Sequence, residues 1–343
     1  MEMIKLKLYY LGSFPPPYGG VTIKNHILFK NIIKHLNCEI IDFSKIKNKN
    51  LSELMKLIKV LVSRSSHFVI GIASDKRREN FTRMLYLINK KAMRNSIIMI
   101  MGGISHTTIV SKESYKKWMR NYKMIYVETN SMMTTLNNAG LTNVKIFPNC
   151  RENPGIPKKE KKSDHVLKCV FFSKISKEKG VDTIIEASDR LVKNGIKVNI
   201  DLYGEIDDDY NTEFKEKILQ NQALRYKGIF EQQGDNVYYK LQEYDLLLFP
   251  TKWKNEGVPG ILIESKIASL PAIASDINYN SEIVNNGEDG IVIRQNNVDD
   301  LYKAILLMYN NRELLYKMSL KAKKSAEKYF IDNYINEIIE LLK

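Results

Sequence analysis

The 343-residue sequence predicts an α/β fold of two domains, each a parallel sheet covered by helices on both faces. Two observations predict it. Strand-length apolar runs alternate with helix-period segments along the chain, and that alternation halts and restarts once, across a stretch rich in proline and charge. The length agrees, because single hydrophobic cores stop growing at roughly 250–300 residues. Hydrophobic residues make up 44% and charged residues 27%, a balance that excludes an intrinsically disordered chain.

Residues 5–11 read as the first strand; Glu2, Lys5 and Lys7 interrupt the apolar stretch of residues 1–10, which argues against a signal peptide. The turn Pro15-Pro16-Pro17-Tyr18-Gly19-Gly20 follows. Ile23, Ile27, Ile32 and Leu36 then recur at helical spacing and predict a helix over 21–36. Strands are predicted at 38–42, 68–72, 97–101, 124–127 and 144–147, with helices between them. The longest apolar run, 96–104, falls far short of the ~20 residues a membrane span needs. Residues 151–165, RENPGIPKKEKKSDH, form the predicted linker between domains at 1–150 and 166–325. Beyond it, strands are predicted at 167–173, 198–203, 246–250, 272–274 and 290–293. A helix over 181–194 is stopped by Gly195. A helical pattern over 298–343 breaks near 329–332, and 326–343 is expected to pack back on the first domain.

The net charge of +14 is unevenly spread. Residues 1–165 carry 29 Lys+Arg against 11 Asp+Glu, and the remainder 24 against 28. A basic first half beside a mildly acidic second half points to an anionic partner for the first domain. Cys38, Cys150 and Cys169 are widely spaced and form no CxxC pair, so neither a zinc site nor a disulfide framework is expected. A reducing cytoplasm suits them.

The most informative segment is 249–264, FPTKWKNEGVPGILIE, where seven residues separate Glu256 from Glu264. A strand ends at Pro250 and a helix begins near Gly260. Pro259 suits a helix start, and the N–H groups of Gly260 and Ile261, with the helix dipole, make an anion site. The loop Gly257-Val258-Pro259-Gly260 lets a diphosphate approach the backbone closely. Glu256 is placed to accept hydrogen bonds from sugar hydroxyls, and Glu264, a turn inside the helix, to hold a ribose diol.

Other segments carry weaker signals. Ser173, Lys174 and Lys179 surround the start of the 181–194 helix. The turn Gly19-Gly20-Val21 offers close backbone approach at a helix N-terminus. Gly102 and Gly103 end a strand shortly before His106. Lys76, Arg77, Arg78 and Arg83 surround Phe81, Met84 and Leu85, while Lys112, Lys116, Lys117 and Arg120 surround Tyr115, Trp118 and Met119. Both read as basic amphipathic helices; either a packed apolar stripe with a solvated charged face or, given the basic first half, a face that lies on anionic membrane accounts for them. The acidic run Asp207-Asp208-Asp209 reads as a solvated turn, not a metal motif.

Segment 249–264 resembles the E-x(7)-E region of retaining GT-B glycosyltransferases, glycosyltransferase family 4 in particular. Pro271-Ala272-Ile273-Ala274-Ser275, Glu282-Ile283-Val284 and Asn286-Gly287-Glu288-Asp289-Gly290 are similar to further motifs of that family, as is Tyr244-Asp245 leading into 246–250. Phe171-Phe172-Ser173-Lys174 through Glu178-Lys179-Gly180 resembles its diphosphate-binding F-x-G-R-L-x-x-E-K-G stretch, with Ser-Lys where the family has Gly-Arg.

The resemblance implies two Rossmann-like domains whose parallel sheets face each other across a cleft. It implies Glu256, Lys174 and Lys179 as catalytic, with Lys174 and Lys179 on the donor diphosphate. Where many family members have a histidine-glycine step beside the anomeric centre, this sequence has Gly102-Gly103; His106, which comes later, is a catalytic candidate, with a structural or exposed histidine as the alternative. It further implies transfer from a nucleotide-diphosphate sugar, UDP-linked by preference, without metal or other cofactor. The acceptor expected is a lipid-linked saccharide of bacterial surface-polysaccharide synthesis (O-antigen or capsule) at the inner face of the plasma membrane. The basic first domain is expected to touch anionic lipid, and no nucleic acid is expected. Two rivals stay open at this point: a non-catalytic nucleotide- or sugar-binding protein on the same fold, and a basic nucleic-acid-binding protein.

Overall fold

A computed structural model describes residues 7–16, 19–63, 65–157, 165–231 and 234–343. The sequence expectations for residues 1–6, for Pro17 and Tyr18 of the first turn, and for 158–164 of the linker lie outside them. The chain forms two compact units, Met1–Asn153 with Tyr329–Lys343, and Pro154–Lys328.

The first unit is built on β1 (Lys7–Gly12), β2 (Cys38–Asp42), β3 (Ser66–Gly71), β4 (Ile97–Met99), β5 (Met124–Val127) and β6 (Val144–Ile146). All pair in parallel, in the order β2-β1-β3-β4-β5-β6. Tyr10, Leu11, Phe68, Val69, Ile97 and Ile98 are fully buried although neighbours point to opposite faces, which requires helices on both sides. The helices are α1 (Gly20–Ile32), α2 (Phe43–Lys47), α3 (Leu51–Val62), α4 (Asp75–Ile88), α5 (Lys90–Arg94), α6 (Ser105–Val110), α7 (Glu113–Met119) and α8 (Asn130–Asn138).

The second unit repeats the plan with β7 (Leu167–Phe172), β8 (Val198–Tyr203), β9 (Leu224–Tyr226), β10 (Leu246–Phe249), β11 (Ala272–Ser275) and β12 (Gly290–Ile293). Its order is β12-β11-β10-β7-β8-β9, again parallel. Helices α9 (Val181–Lys193), α10 (Asn211–Leu219), α11 (Asn236–Gln242), α12 (Gly260–Ile267), α13 (Asn280–Ile283), α14 (Val298–Asn310) and α15 (Arg312–Ser325) cover it. Helix α16 (Ile335–Leu342) then belongs to the first unit. Its Ile335, Ile338, Ile339 and Leu342 enter the core with Tyr10, Leu28 and Ile32, at the spacing of one helical stripe.

Strand order reverses between β1 and β3 in the first sheet, and between β7 and β10 in the second. In open parallel sheets the loops at the C-terminal ends of such neighbours diverge and leave a crevice where ligands bind. The glycine turn 19–20 follows β1, and segment 250–260 follows β10.

Two expectations are corrected and one strand is added. The helical pattern after 298 breaks at Asn311 as well, because the Asn311 side chain accepts the Leu314 N–H at 2.9 Å and starts a new helix. Strand β9 has only the residues LRY and was too short for any periodicity to show. Among the basic helices, Arg78 is fully buried, donating to the Ile72 carbonyl at 3.0 Å and paired with Asp75. Tyr115, Met119 and Tyr122 are likewise core residues, while Trp118 is half-buried, so most of the aromatic stripe packs on its own domain. Among the described residues no helix is long and apolar enough to cross a bilayer. The three cysteines are free and buried.

Candidate functional site

At the β7/β10 switch point two loops meet by way of one glycine. Gly180 has φ +78°, and a Cβ there would lie 2.0 Å from the Pro250 carbonyl oxygen. Any other residue would force apart the loops that leave β7 and β10. The contact is fastened by the Lys252 N–H, which donates to the Glu178 carbonyl at 2.7 Å. Lys179, only 7% exposed, is thereby delivered to Glu256 as an ion pair. Its ammonium also lies 4.2 Å from the ring centroid of Trp253, a cation–π contact.

The loop that carries Glu256 is held from several sides. Trp253 N–H donates to Thr251 Oγ1 at 3.3 Å, Asn278 Nδ2 to the Trp253 carbonyl at 3.0 Å, and Gln295 Nε2 to the Lys252 carbonyl at 3.1 Å. Pro259 is the cap just outside α12, at φ −67° and ψ 120°, and Gly260 is the first helical residue. The opening N–H groups of Gly260 and Ile261 have no carbonyl behind them within the helix. Gly257 and Val258 lead into that turn, and Glu264 is buried one turn in.

Helix α12 is anchored from beneath. Lys266 Nζ lies 2.5 Å from Asp289, both almost fully buried, and donates to Ser325 Oγ at 2.9 Å. Asp289 also accepts from the Asn285 N–H at 2.9 Å. The Asn286–Gly290 stretch thus ties the loop before β12 to the helix that presents Glu264.

Lys174 is engaged elsewhere. Its half-exposed ammonium sits 2.7 Å from Asp207, and that hydrogen bond holds the Asp207 carboxyl below its usual range. The acidic run is therefore an ion-pair partner at its first residue, followed by a short turn at Asp208–Tyr210. Ser173 continues the sheet, its N–H donating to the Tyr203 carbonyl at 3.1 Å. The structure brings together Lys179, Glu256 and Trp253, and leaves Lys174 in a separate pair.

In the first unit, the β1/β3 switch point is organised by Asn25 of α1, which is fully buried. Its Nδ2 donates to the Ser13 and Gly71 carbonyls at 3.0 and 2.9 Å, and its Oδ1 accepts from Tyr10 at 3.0 Å. A Cβ on Gly71 would come within 2.0 Å of Asn25 Oδ1, so this glycine makes room for the clamp. Asn25 fixes the start of the loop that ends in Gly19-Gly20-Val21. Gly19 is extended and donates its N–H to Thr22 Oγ1 at 3.0 Å. Among the described residues, a Cβ on Gly20 would meet no atom within 4 Å beyond its chain neighbours and its own helix backbone.

Past β4, Gly102 takes φ +108° and precedes Gly103 and the short helix α6. His106 of α6 is buried; burial lowers its pKa, with Asp75 pulling the other way, so the ring is neutral at pH 7. Sequence reasoning missed Asn25, Lys266 and the role of Trp253, and gave Asp289 a place in a motif without a role. Trp253 carried a signal, as a large aromatic inside the glutamate segment.

A family model described as glycosyl transferases group 1 matches residues 152–325. The chain is similar to the poly(ribitol-phosphate) alpha-N-acetylglucosaminyltransferase of Staphylococcus aureus strain COL, 24% identical over 175 residues that cover 50% of this chain and 34% of that protein. It is also similar to the N,N'-diacetylbacillosaminyl-diphospho-undecaprenol alpha-1,3-N-acetylgalactosaminyltransferase of Campylobacter jejuni, 24% identical over 314 residues covering 90% and 78%. The chain spans between 34% and 44% of the length of the first curated relatives it matches. Among solved structures, HepE of Anabaena in complex with UDP superposes with a TM-score of 0.72 at 14% identity, covering 98% of both chains. TarM superposes at 0.62 and 19% identity, over 86% of this chain and 58% of that one.

Proposed function

The chain belongs to the group 1 glycosyl transferases and has the GT-B fold, and from that premise we propose a retaining, metal-independent enzyme of glycosyltransferase family 4. It moves a sugar from a nucleotide-diphosphate sugar, UDP-linked, to a lipid-linked saccharide of bacterial surface-polysaccharide synthesis. The observation that carries this reading is the Lys179–Glu256 pair under Trp253, beside the N-terminus of α12 at a strand-order reversal. The names of the Campylobacter relative, which acts on a diphospho-undecaprenol substrate, and of HepE, solved with UDP, support the acceptor and the donor.

In this reading the N–H groups of Gly260 and Ile261 take the donor diphosphate, and Glu264 holds the ribose diol. Without donor, Lys179 and Glu256 neutralise each other. With donor, the diphosphate replaces Glu256 as the counter-ion of Lys179, and Glu256 turns to the sugar hydroxyls. As the bond from the anomeric carbon to phosphate oxygen breaks, that oxygen gains charge. Lys179 stabilises that charge more in the transition state than before it, and Lys174, beside Ser173, joins it as a second cation by leaving its pair with Asp207. The acceptor hydroxyl bonds to the anomeric carbon on the same face and gives its proton to the departing phosphate. Lysine charge does the work a metal would do at the leaving group. The first unit takes the acceptor, with Gly102, Gly103 and neutral His106 past β4, while its Gly19-Gly20-Val21 turn serves the donor phosphates. Its basic surface fits peripheral contact with anionic lipid on the inner face of the plasma membrane.

A thermal-shift screen of UDP, GDP, ADP and their sugars in EDTA tests this. A ligand at about 100 times its Kd adds about 2.7 kcal/mol. UDP or a UDP-sugar is expected to raise the melting temperature in EDTA, and Glu264→Ala to abolish the rise. Absence of any nucleotide shift, with and without acceptor, would sink the reading. Trapping a covalent glycosyl-enzyme would overturn the same-face step alone.

A further inference from the structure

Helix α3 is apolar on two faces. Leu57, Val60 and Leu61 are buried in the first unit. Leu51, Leu54, Met55, Ile58 and Val62 stand in solvent, Leu51 at 67% exposure and Val62 at 61%. Their spacing places them on one stripe along the whole helix. A helix that only covers a sheet needs one apolar stripe, and among the described residues nothing covers this second one.

The exposed surface extends beyond α3. Helices α2, α3 and α4 enclose a cavity of about 380 Å³ lined by Phe43, Ile46, Leu57, Phe81 and Met84, with Lys47 and Arg77 also in its wall. Asn89, at the end of α4, donates to the Leu61 and Ser63 carbonyls at 2.9 and 2.8 Å. That bond holds the end of α4, with exposed Leu87 and Ile88, against the end of α3.

Cations frame this surface. Lys45, Lys47, Lys49, Lys59 and Arg77 are exposed around it. Of the nearby acids, Glu39 pairs with Lys56 at 3.1 Å and Asp75 pairs with Arg78, while Glu53 and Asp42 accept the backbone N–H groups of Asp42 and Ser44 at 2.8 Å and keep their charge; the exposed cations outnumber these two. An apolar stripe edged by an excess of positive charge is complementary to an anionic bilayer. A second copy would set this cationic face against itself.

We propose that the α2–α3–α4 face is the surface by which the protein docks on an anionic lipid bilayer. The α3 stripe enters the boundary between headgroups and acyl chains, and the flanking lysines and Arg77 meet lipid phosphates. The proposal rests on the lipid-linked acceptor reading and names the surface that reaches the lipid. It assigns the contact to α3, which the charge pattern of the sequence did not single out, and not to the packed aromatics of α7.

Co-sedimentation of the full chain with vesicles tests it. Binding is expected to equimolar phosphatidylglycerol–phosphatidylcholine vesicles and not to pure phosphatidylcholine. Met55→Ser with Ile58→Ser, both solvent-exposed and so compatible with the fold, is expected to weaken binding roughly tenfold, because affinity scales with buried apolar area. Lys47→Glu with Lys59→Glu is expected to weaken it similarly and to flatten its salt dependence. Variants that sediment like the parent overturn the proposal, as does equal binding to neutral vesicles. A solution dimer lost in the serine variant would make a second copy the occupant and also overturn it. The nucleotide thermal shift, run on the same variants, is expected to persist. Vesicle binding without any nucleotide shift in the parent would sink the transferase reading and leave the surface standing.

Discussion

Lys179 has two neighbours that decide its behaviour, the Glu256 carboxylate and the Trp253 ring. Both hold the ammonium in one place before any donor arrives, which is what a transition-state cation requires. Lys179→Ala is expected to lower kcat by roughly 10²–10³, measured as transfer at saturating donor, while Lys177→Ala on the exposed side of the same loop stays near the parent. Gly180 is as consequential through backbone alone. Gly180→Ala places a Cβ at a positive φ and against the Pro250 carbonyl, and is expected to cost roughly 2–5 kcal/mol in chemical denaturation. The residue types at this site were legible, because Glu256, Glu264 and Lys179 stand at a strand end, a glycine turn and a helix start that the sequence marks. Asn25 was not legible. Its partners Ser13, Gly71 and Tyr10 come from two different strand ends, and no local pattern announces an asparagine clamp.

At the scale of elements, α12 depends on a buried charge. Asp289→Asn leaves the Lys266 ammonium buried without its counter-ion and is expected to destabilise by about 3–5 kcal/mol. The double replacement Lys266→Met with Asp289→Leu is expected to recover part of it, since an apolar pair of similar size needs no counter-charge but leaves the Asn285 N–H without its acceptor. Denaturant midpoints of the three variants check both. Several strands were readable because burial on both faces leaves near-continuous apolar runs, as at Lys7–Gly12 and Leu246–Phe249. The break at Asn311 was not, since the apolar spacing runs on across it and only the side-chain bond to Leu314 interrupts the helix. Helices α3 and α7 show why amphipathic patterns mislead. Spacing reveals a stripe but not what covers it, and the structure buries Tyr115 while leaving Met55 in solvent.

For the molecule as a whole, two histidines of the first unit make its stability depend on pH. Burial lowers the pKa of His67 and of His106; the Leu342 carbonyl, bonded to His67 at 3.2 Å, and Asp75, near His106, each oppose the shift. Both rings stay neutral in the folded chain and return to a pKa near 6.5 when it unfolds. Below that value the unfolded chain binds more protons, so stability holds above about pH 6.5 and is lost as pH falls from there toward the lowered folded values. Urea unfolding near pH 7.5 and about pH 5.5 is expected to show the loss, and His67→Gln to reduce it.

The return of α16 carries a consequence for synthesis. The first unit takes part of its core from Ile335, Ile338, Ile339 and Leu342, which the ribosome makes only after every residue of the second unit. Residues 154–328 are contiguous and can fold in one pass as they emerge. The first unit begins earlier and finishes later, holding an open apolar groove until its last helix arrives. That interval, set by translation and not by the native state, is when the nascent chain most needs a chaperone.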